Sequence, residues 1–135
     1  MVKPPDLTGL AIGQAGERWT AFLYEKEGYR IIARNYAAFG KKQLGELDIV
    51  CIKGRILVAV EVKTRRNENF MQIEESIGKK KQNLLRRMIK IFVKKNPKYE
   101  NFNLRIDVAA VLIDPVDNSI KSVRILRNVI EDSDA

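Results

Sequence analysis

Asp48, Glu61 and Lys63 are the residues of this chain whose types and spacing suit chemistry on a phosphate. Side chains alternate along a strand, so Glu61 and Lys63 share one face and Val62 points to the other. Both charges end an apolar run, where burying them is costly unless they are paired or bound to a metal. Two carboxylates a few ångströms apart repel each other, and a divalent cation relieves that repulsion by taking oxygens from both. Mg²⁺, or Mn²⁺ in its place, suits such a pair because it prefers hard oxygen ligands and keeps waters and a substrate phosphate in its shell. The ion would lower the pKa of a bound water and offset charge at phosphorus. Lys63 can then orient the attacking water or stabilise the transition state. The plainer alternative is a Glu61–Lys63 salt bridge at a strand end, since an E-x-K triplet is common. The turn at Lys53-Gly54 brings Asp48 level with the Glu61 region only if the strands slip or splay, so a direct cross-strand contact stays open.

Composition removes most competing chemistries. The 135 residues include no histidine and a single cysteine, Cys51. Histidine acid–base catalysis, serine triads, histidine-ligated metals and intrachain disulfides are excluded together. The chain is 45% hydrophobic and 31% charged, a globular balance for one domain over residues 1–130, with residues 131–135 an acidic tail expected to be disordered. Lysine and arginine number 25 against 17 acidic residues, a net charge of +8, so a polyanion is the natural partner. Between Glu75 and Glu100 there is no acidic residue, while Lys79, Lys80, Lys81, Arg86, Arg87, Lys90, Lys94, Lys95 and Lys98 all occur; further basic pairs stand at Lys41-Lys42 and Arg65-Arg66. Such a run is either a nucleic-acid surface or a solvated helix face. No stretch approaches the roughly 18 apolar residues of a membrane helix, and the first residues lack the apolar core of a secretory signal, so a cytoplasmic protein with no membrane partner is expected.

The elements that must position these groups are legible from periodicity. A first helix starts between Asp6 and Gly13, carries Ala15, Trp19, Phe22 and Leu23 at helical spacing, and stops at Gly28. That spacing places Glu17 opposite the apolar stripe, on a face with Gly13, Ala21 and Tyr24, which must pack on the sheet if Glu17 belongs to a site. Strands are expected over Tyr29–Tyr36, Leu44–Ile52 and Arg55–Lys63, the last central because Ile56 to Val60 is apolar without interruption. Alternation in the second strand puts Glu46, Asp48 and Val50 on one face and Leu47, Ile49 and Cys51 on the other. A second helix over Ile73–Lys95 has an apolar stripe containing Ile73, Ile77, Leu84, Leu85, Met88, Ile91 and Phe92, with Lys81 inside it and Lys79, Arg86 and Lys90 outward. Strands Leu104–Ile113 and Ile120–Leu126 follow. The order αβββαββ implies an α/β fold, a mixed sheet flanked by helices.

Asp48 followed by Glu61-Val62-Lys63 after an apolar strand resembles the D…E-x-K arrangement of the PD-(D/E)XK nuclease superfamily, with its restriction-endonuclease-like fold. More closely, the chain resembles the YraN-type family of small bacterial proteins. The matching segments are Gly13-Gln14-Ala15-Gly16-Glu17, Gly28-Tyr29, Arg34-Asn35, Gly45-Glu46-Leu47-Asp48-Ile49-Val50, Val60-Glu61-Val62-Lys63-Thr64-Arg65, Lys81-Gln82 and Arg105-Ile106-Asp107-Val108. Their order and spacing carry the likeness. The layout is also similar to archaeal Holliday-junction resolvases.

The resemblance implies an Mg²⁺- or Mn²⁺-dependent endonuclease acting on DNA, branched or single-stranded. It implies Asp48 and Glu61 as metal ligands, the Val62 carbonyl as a third, Lys63 as the catalytic lysine and Glu17 as a further ligand through water. Glu46 would support Asp48 from the same face, and Lys81 would contact the scissile phosphate, its alternative being an aliphatic stem that covers the core while the ammonium reaches water. Lys41, Lys42, Arg65, Lys79 and Arg86 would hold phosphates without reading sequence. Arg105 and Asp107 share a strand face, as a supporting ion pair or an edge decoration. A symmetric homodimer would suit paired incisions at a junction. The rivals are a binding module that keeps the nuclease fold without catalysis, and a scaffold whose basic helix binds an acidic protein.

Overall fold

The computed structural model describes residues 2–39, 42–66 and 77–128. Helix α1 (Ile12–Lys26) is followed by β1 (Arg30–Phe39), β2 (Gln43–Lys53), β3 (Ile56–Arg65), α2 (Lys79–Lys95), a short 3-10 turn over Pro97–Tyr99, β4 (Asn103–Ile113) and β5 (Ile120–Leu126). The strands hydrogen-bond in the spatial order β1-β2-β3-β4-β5. Only β3 and β4 run parallel; the other neighbours are antiparallel. That follows from the connections, because short turns join antiparallel strands whereas a parallel partner needs a crossover, supplied here by α2. The expected element order holds, and the mixed five-stranded sheet flanked by helices is consistent with a restriction-endonuclease-like fold. Among the described residues no helix is long and apolar enough to cross a membrane.

The sheet is covered on both faces. Ala21 and Tyr24 of α1 pack with Ile49, Cys51, Val58, Val60 and Ala109 on one side. Leu85, Met88, Ile89 and Phe92 of α2 pack with Leu47, Val50, Leu57, Ala59 and Ile106 on the other. Leu57, Val58, Ala59 and Val60 are each at most 1% exposed, as the unbroken apolar run of β3 required.

Two expectations about the helices need correction. Of the expected α1 stripe, Ala15 and Phe22 are buried while Trp19 and Leu23 are only partly so, and the face packed on the sheet is the one with Gly16, Thr20, Ala21 and Tyr24. Small residues win that face because the helix lies close to the sheet: a Cβ on Gly16 would come within 2.6 Å of Thr64 Oγ1. Glu17, one helical turn before Ala21, therefore looks toward the sheet side and not away from it. The second helix starts at Lys79 instead of running through Ile77 and Gly78; Gly78 is extended, with φ −65° and ψ 165°, and serves as its N-cap. The expected stretch from Ile73 to Ser76 lies outside the described residues, as do Lys41 and the acidic tail.

Candidate active site

The site begins with a shared irregularity of β1 and β2. Arg34 pairs with Ile49 and Tyr36 with Leu47, so Asn35 stands opposite Asp48. Asn35 has φ 50°, a left-handed conformation that asparagine tolerates better than most residues. Ala33 and Tyr36, three residues apart, both pack toward the α2 side, and so do Leu47 and Val50. In each strand the two intervening residues turn to the α1 side, where Arg34, Asn35, Asp48 and Ile49 line one cleft with Glu17 and Arg18. Strict alternation in β2 is thus overturned: Glu46 and Asp48 lie on the α1 side, but Ile49 joins them and Val50 joins Leu47. The local cause is the left-handed backbone of Asn35 at the rung opposite Asp48, which an alternating pattern cannot register.

Each carboxylate on this side is held by an uncharged donor. With its amide oriented to face acceptors, Asn35 donates to Glu17 Oε1 at 2.8 Å and to Glu46 Oε1 at 2.9 Å. Asp48 Oδ2 accepts from the Val62 N–H at 2.8 Å. The last backbone pair between β2 and β3 is Ile49 with Val60, so beyond it the Asp48 side chain takes over the role of a ladder carbonyl. Burial, then the charge of Glu61, push the Asp48 carboxyl up to about 7, against the lowering effect of the Val62 bond. Glu17 is raised as well, by burial first and then by Glu46 and Glu61.

Glu61 arrives from the opposite side. Leu57 and Ala59 face α2, and the period of two carries Glu61 and Lys63 to that face. Lys63 Nζ lies 3.5 Å and Lys81 Nζ 3.6 Å from the same oxygen, Glu61 Oε1. Glu61 is 6% exposed, and its other oxygen, Oε2, is buried with no hydrogen-bond partner. A buried carboxylate oxygen without a donor is costly, and a bound cation or water is the ordinary remedy. Val62 completes the fork: in an extended residue the N–H and C=O point the same way, so a residue that offers its amide to Asp48 offers its carbonyl to the same gap. Among the described residues no group of three or more His, Cys, Asp and Glu converges to hold a metal alone. By donor chemistry, two carboxylates and a carbonyl are the hard oxygens that suit a divalent ion which fills its shell with water and phosphate, with Asp48 and Glu61 reaching the fork from opposite sides of the sheet.

The structure thus gathers Glu17, Glu46, Asp48, Glu61, Lys63 and Lys81 about the fork between β2 and β3. Lys42, Arg65 and Lys79 are exposed, with Arg65 donating to the Thr64 carbonyl at 2.9 Å. Arg86 is half-buried and donates to Asn83 Oδ1 at 3.1 Å. Arg105 and Asp107 form an ion pair at 2.9 Å on interior strand β4, with Asp107 fully buried, so they are no edge decoration. Asp107 also accepts from Tyr24 Oη at 2.6 Å and from the Asn128 N–H at 2.9 Å. Sequence reasoning gave Asn35 no role; the signal was an asparagine inside a strand pattern, where it is disfavoured without a local reason.

Fold and site define a small basic α/β protein with a cluster of carboxylates and lysines where its central strands part. The chain belongs to the family described as Uncharacterised protein family UPF0102, whose model matches residues 16–111. That span includes Glu17, Asp48, Glu61, Lys63 and Lys81, and this is the family of the YraN-type resemblance. Among its relatives, a UPF0102 protein of Dictyoglomus turgidum is 38% identical over 104 residues, covering 77% of this chain and 84% of that one. One from Alkaliphilus metalliredigens is 38% identical over 103 residues, covering 76% and 86%. A third, from Caldicellulosiruptor saccharolyticus, is 35% identical over 117 residues, covering 87% and 94%.

Proposed function

We propose that this protein is a divalent-metal-dependent endonuclease that hydrolyses DNA phosphodiester bonds, with branched and single-stranded DNA among its candidate substrates. The observation that carries the reading is the partnerless, buried Oε2 of Glu61, next to Lys63 and Lys81 and within the electrostatic reach of Asp48. A structural ion pair accounts for Oε1 and gives Oε2 no partner, and a surface made only to bind phosphate gains nothing from buried carboxylates that repel it.

In this reading Asp48, Glu61 and the Val62 carbonyl hold Mg²⁺ or Mn²⁺, and Glu17 adds a ligand through water. When bound, the ion offsets charge on the phosphate and makes water a better nucleophile at neutral pH. The chain's own residues do the rest. The Val62 bond fixes the Asp48 carboxylate, and Asn35 keeps Glu17 and Glu46 turned toward the cleft. Lys63, anchored on Glu61, places an ammonium beside the reacting phosphate, where it steadies the charge that develops on oxygen. Lys81 adds a second cation from α2 and orients the scissile group, while the exposed basic residues of α2, with Lys42 and Arg65, hold flanking phosphates without base readout. A homodimer would place two such sites for paired cuts. The test is cleavage of a DNA panel by wild type and by Lys63→Ala.

A further inference from the structure

Arg18 and Arg34 stand in the α1-side cleft with Glu17, Asn35 and Asp48. Both are exposed, and among the described residues neither guanidinium takes part in a hydrogen bond or ion pair. An arginine near carboxylates ordinarily forks onto one of them. Here the carboxylates have other donors: Glu17 and Glu46 take the Asn35 amide, and Asp48 takes the Val62 N–H. A neutral donor fixes a carboxylate without cancelling its charge. The cleft therefore keeps negative charge available for a cation and, along the same lining, positive charge available for an anion.

We propose that Arg18 and Arg34 grip backbone phosphates of the nucleic-acid strand on the α1 side, next to the phosphate that Lys63 and Lys81 face from the α2 side. The strand then crosses the fork of the sheet with cations on both flanks, so the binding surface is not confined to α2 and its neighbouring loop. The planar guanidinium suits this role, since it meets two phosphate oxygens at once and never loses its charge. The inference rests on the nuclease reading for its ligand, a DNA strand, but its test needs no catalysis.

Binding of fluorescein-labelled single-stranded and four-way-junction DNA is measured by anisotropy in EDTA, between 50 and 200 mM salt, so that nothing is cut. Arg18→Gln/Arg34→Gln is compared with Lys26→Gln/Lys121→Gln, which removes equal charge elsewhere. The arginine variant should melt within about 2 °C of wild type, because exposed unpaired side chains add little to stability. Its Kd should rise tenfold or more beyond the control's, and the slope of log K against log salt should fall by about 1 to 2. Equal Kd and slope in the two variants overturn the inference, and the nuclease reading survives if wild type still cuts DNA in Mg²⁺. No binding by wild type at any salt overturns both.

Discussion

The backbone N–H of Val62 donates to Asp48 Oδ2 at 2.8 Å, beyond the last backbone pair of β2 and β3. A side chain thus continues what the ladder has stopped doing, and the two strands part around it. Asp48 enters the fork from the α1 side and Glu61 from the α2 side, and Glu61 is the charge that most raises Asp48. Holding buried carboxyls this close opposes stability, and that opposition can be measured.

Replacing Asp48 by asparagine should stabilise the protein at alkaline pH. The folded carboxyl titrates near 7 against an ordinary 3.8. Between those values the folded state keeps a proton that the unfolded chain has lost, so its contribution is fully present below 3.8 and is lost as pH rises to 7. The total is on the order of 3–4 kcal/mol. Asp48→Asn cannot titrate and can still accept from Val62. Urea unfolding should show it more stable than wild type at pH 8 by roughly that amount and nearly equal at pH 4. Parallel pH profiles for the two proteins would refute the buried-acid assignment.

Mg²⁺ or Mn²⁺ should offset part of that penalty. A cation at ten times its Kd adds about 1.4 kcal/mol to the folded state, and EDTA removes it. Calorimetric titration should give binding heat with wild type and none with Asp48→Ala or Glu61→Gln. Equal heats across the three proteins would remove the metal site.

Asn35→Gly separates the amide from the backbone it occupies. Glycine accepts φ 50° without strain, so stability should stay within about 1 kcal/mol of wild type. Loss of the link between Glu17 and Glu46 should nevertheless weaken Mn²⁺ binding by roughly 10-fold or more, as removal of a ligand's supporting partner does. Unchanged affinity would reduce Asn35 to a turn residue.

Asp107→Asn tests whether the ion pair on β4 supports the site or only the fold. Asp107 is fully buried and accepts from Arg105, Tyr24 and Asn128. Breaking that pair strands the arginine and should cost about 3–5 kcal/mol. Measured below its lowered Tm, the variant should keep the metal isotherm of wild type, whereas a lost isotherm would tie this network to the site.

Much of the fold was readable because it rests on simple periods. The apolar run of β3, the helical stripe of α2 and the turn at Gly54 each have one cheap solution. Glu61 and Lys63 shared a face as the period of two required, and Glu61 also meets Lys81, whose place inside an apolar stripe turned it toward the sheet. What failed did so where one residue breaks a period. Asn35 and Asp48 interrupt both strands at one rung, so the face of Val50 could not be counted from that of Asp48. Trp19 misled for another reason: large apolar residues suggest the core, yet close packing at Thr64 selected Gly16 for the sheet-facing side of α1, which also carries Ala21.

The most direct test of the account is incubation of branched, nicked and single-stranded DNA with wild type and Lys63→Ala in Mg²⁺ or Mn²⁺. The account predicts metal-dependent strand cleavage by wild type, abolished by EDTA and reduced at least about 100-fold in Lys63→Ala, the scale of one lost electrostatic donor. Cleavage surviving in Lys63→Ala, or DNA binding without cleavage on every substrate, would contradict it.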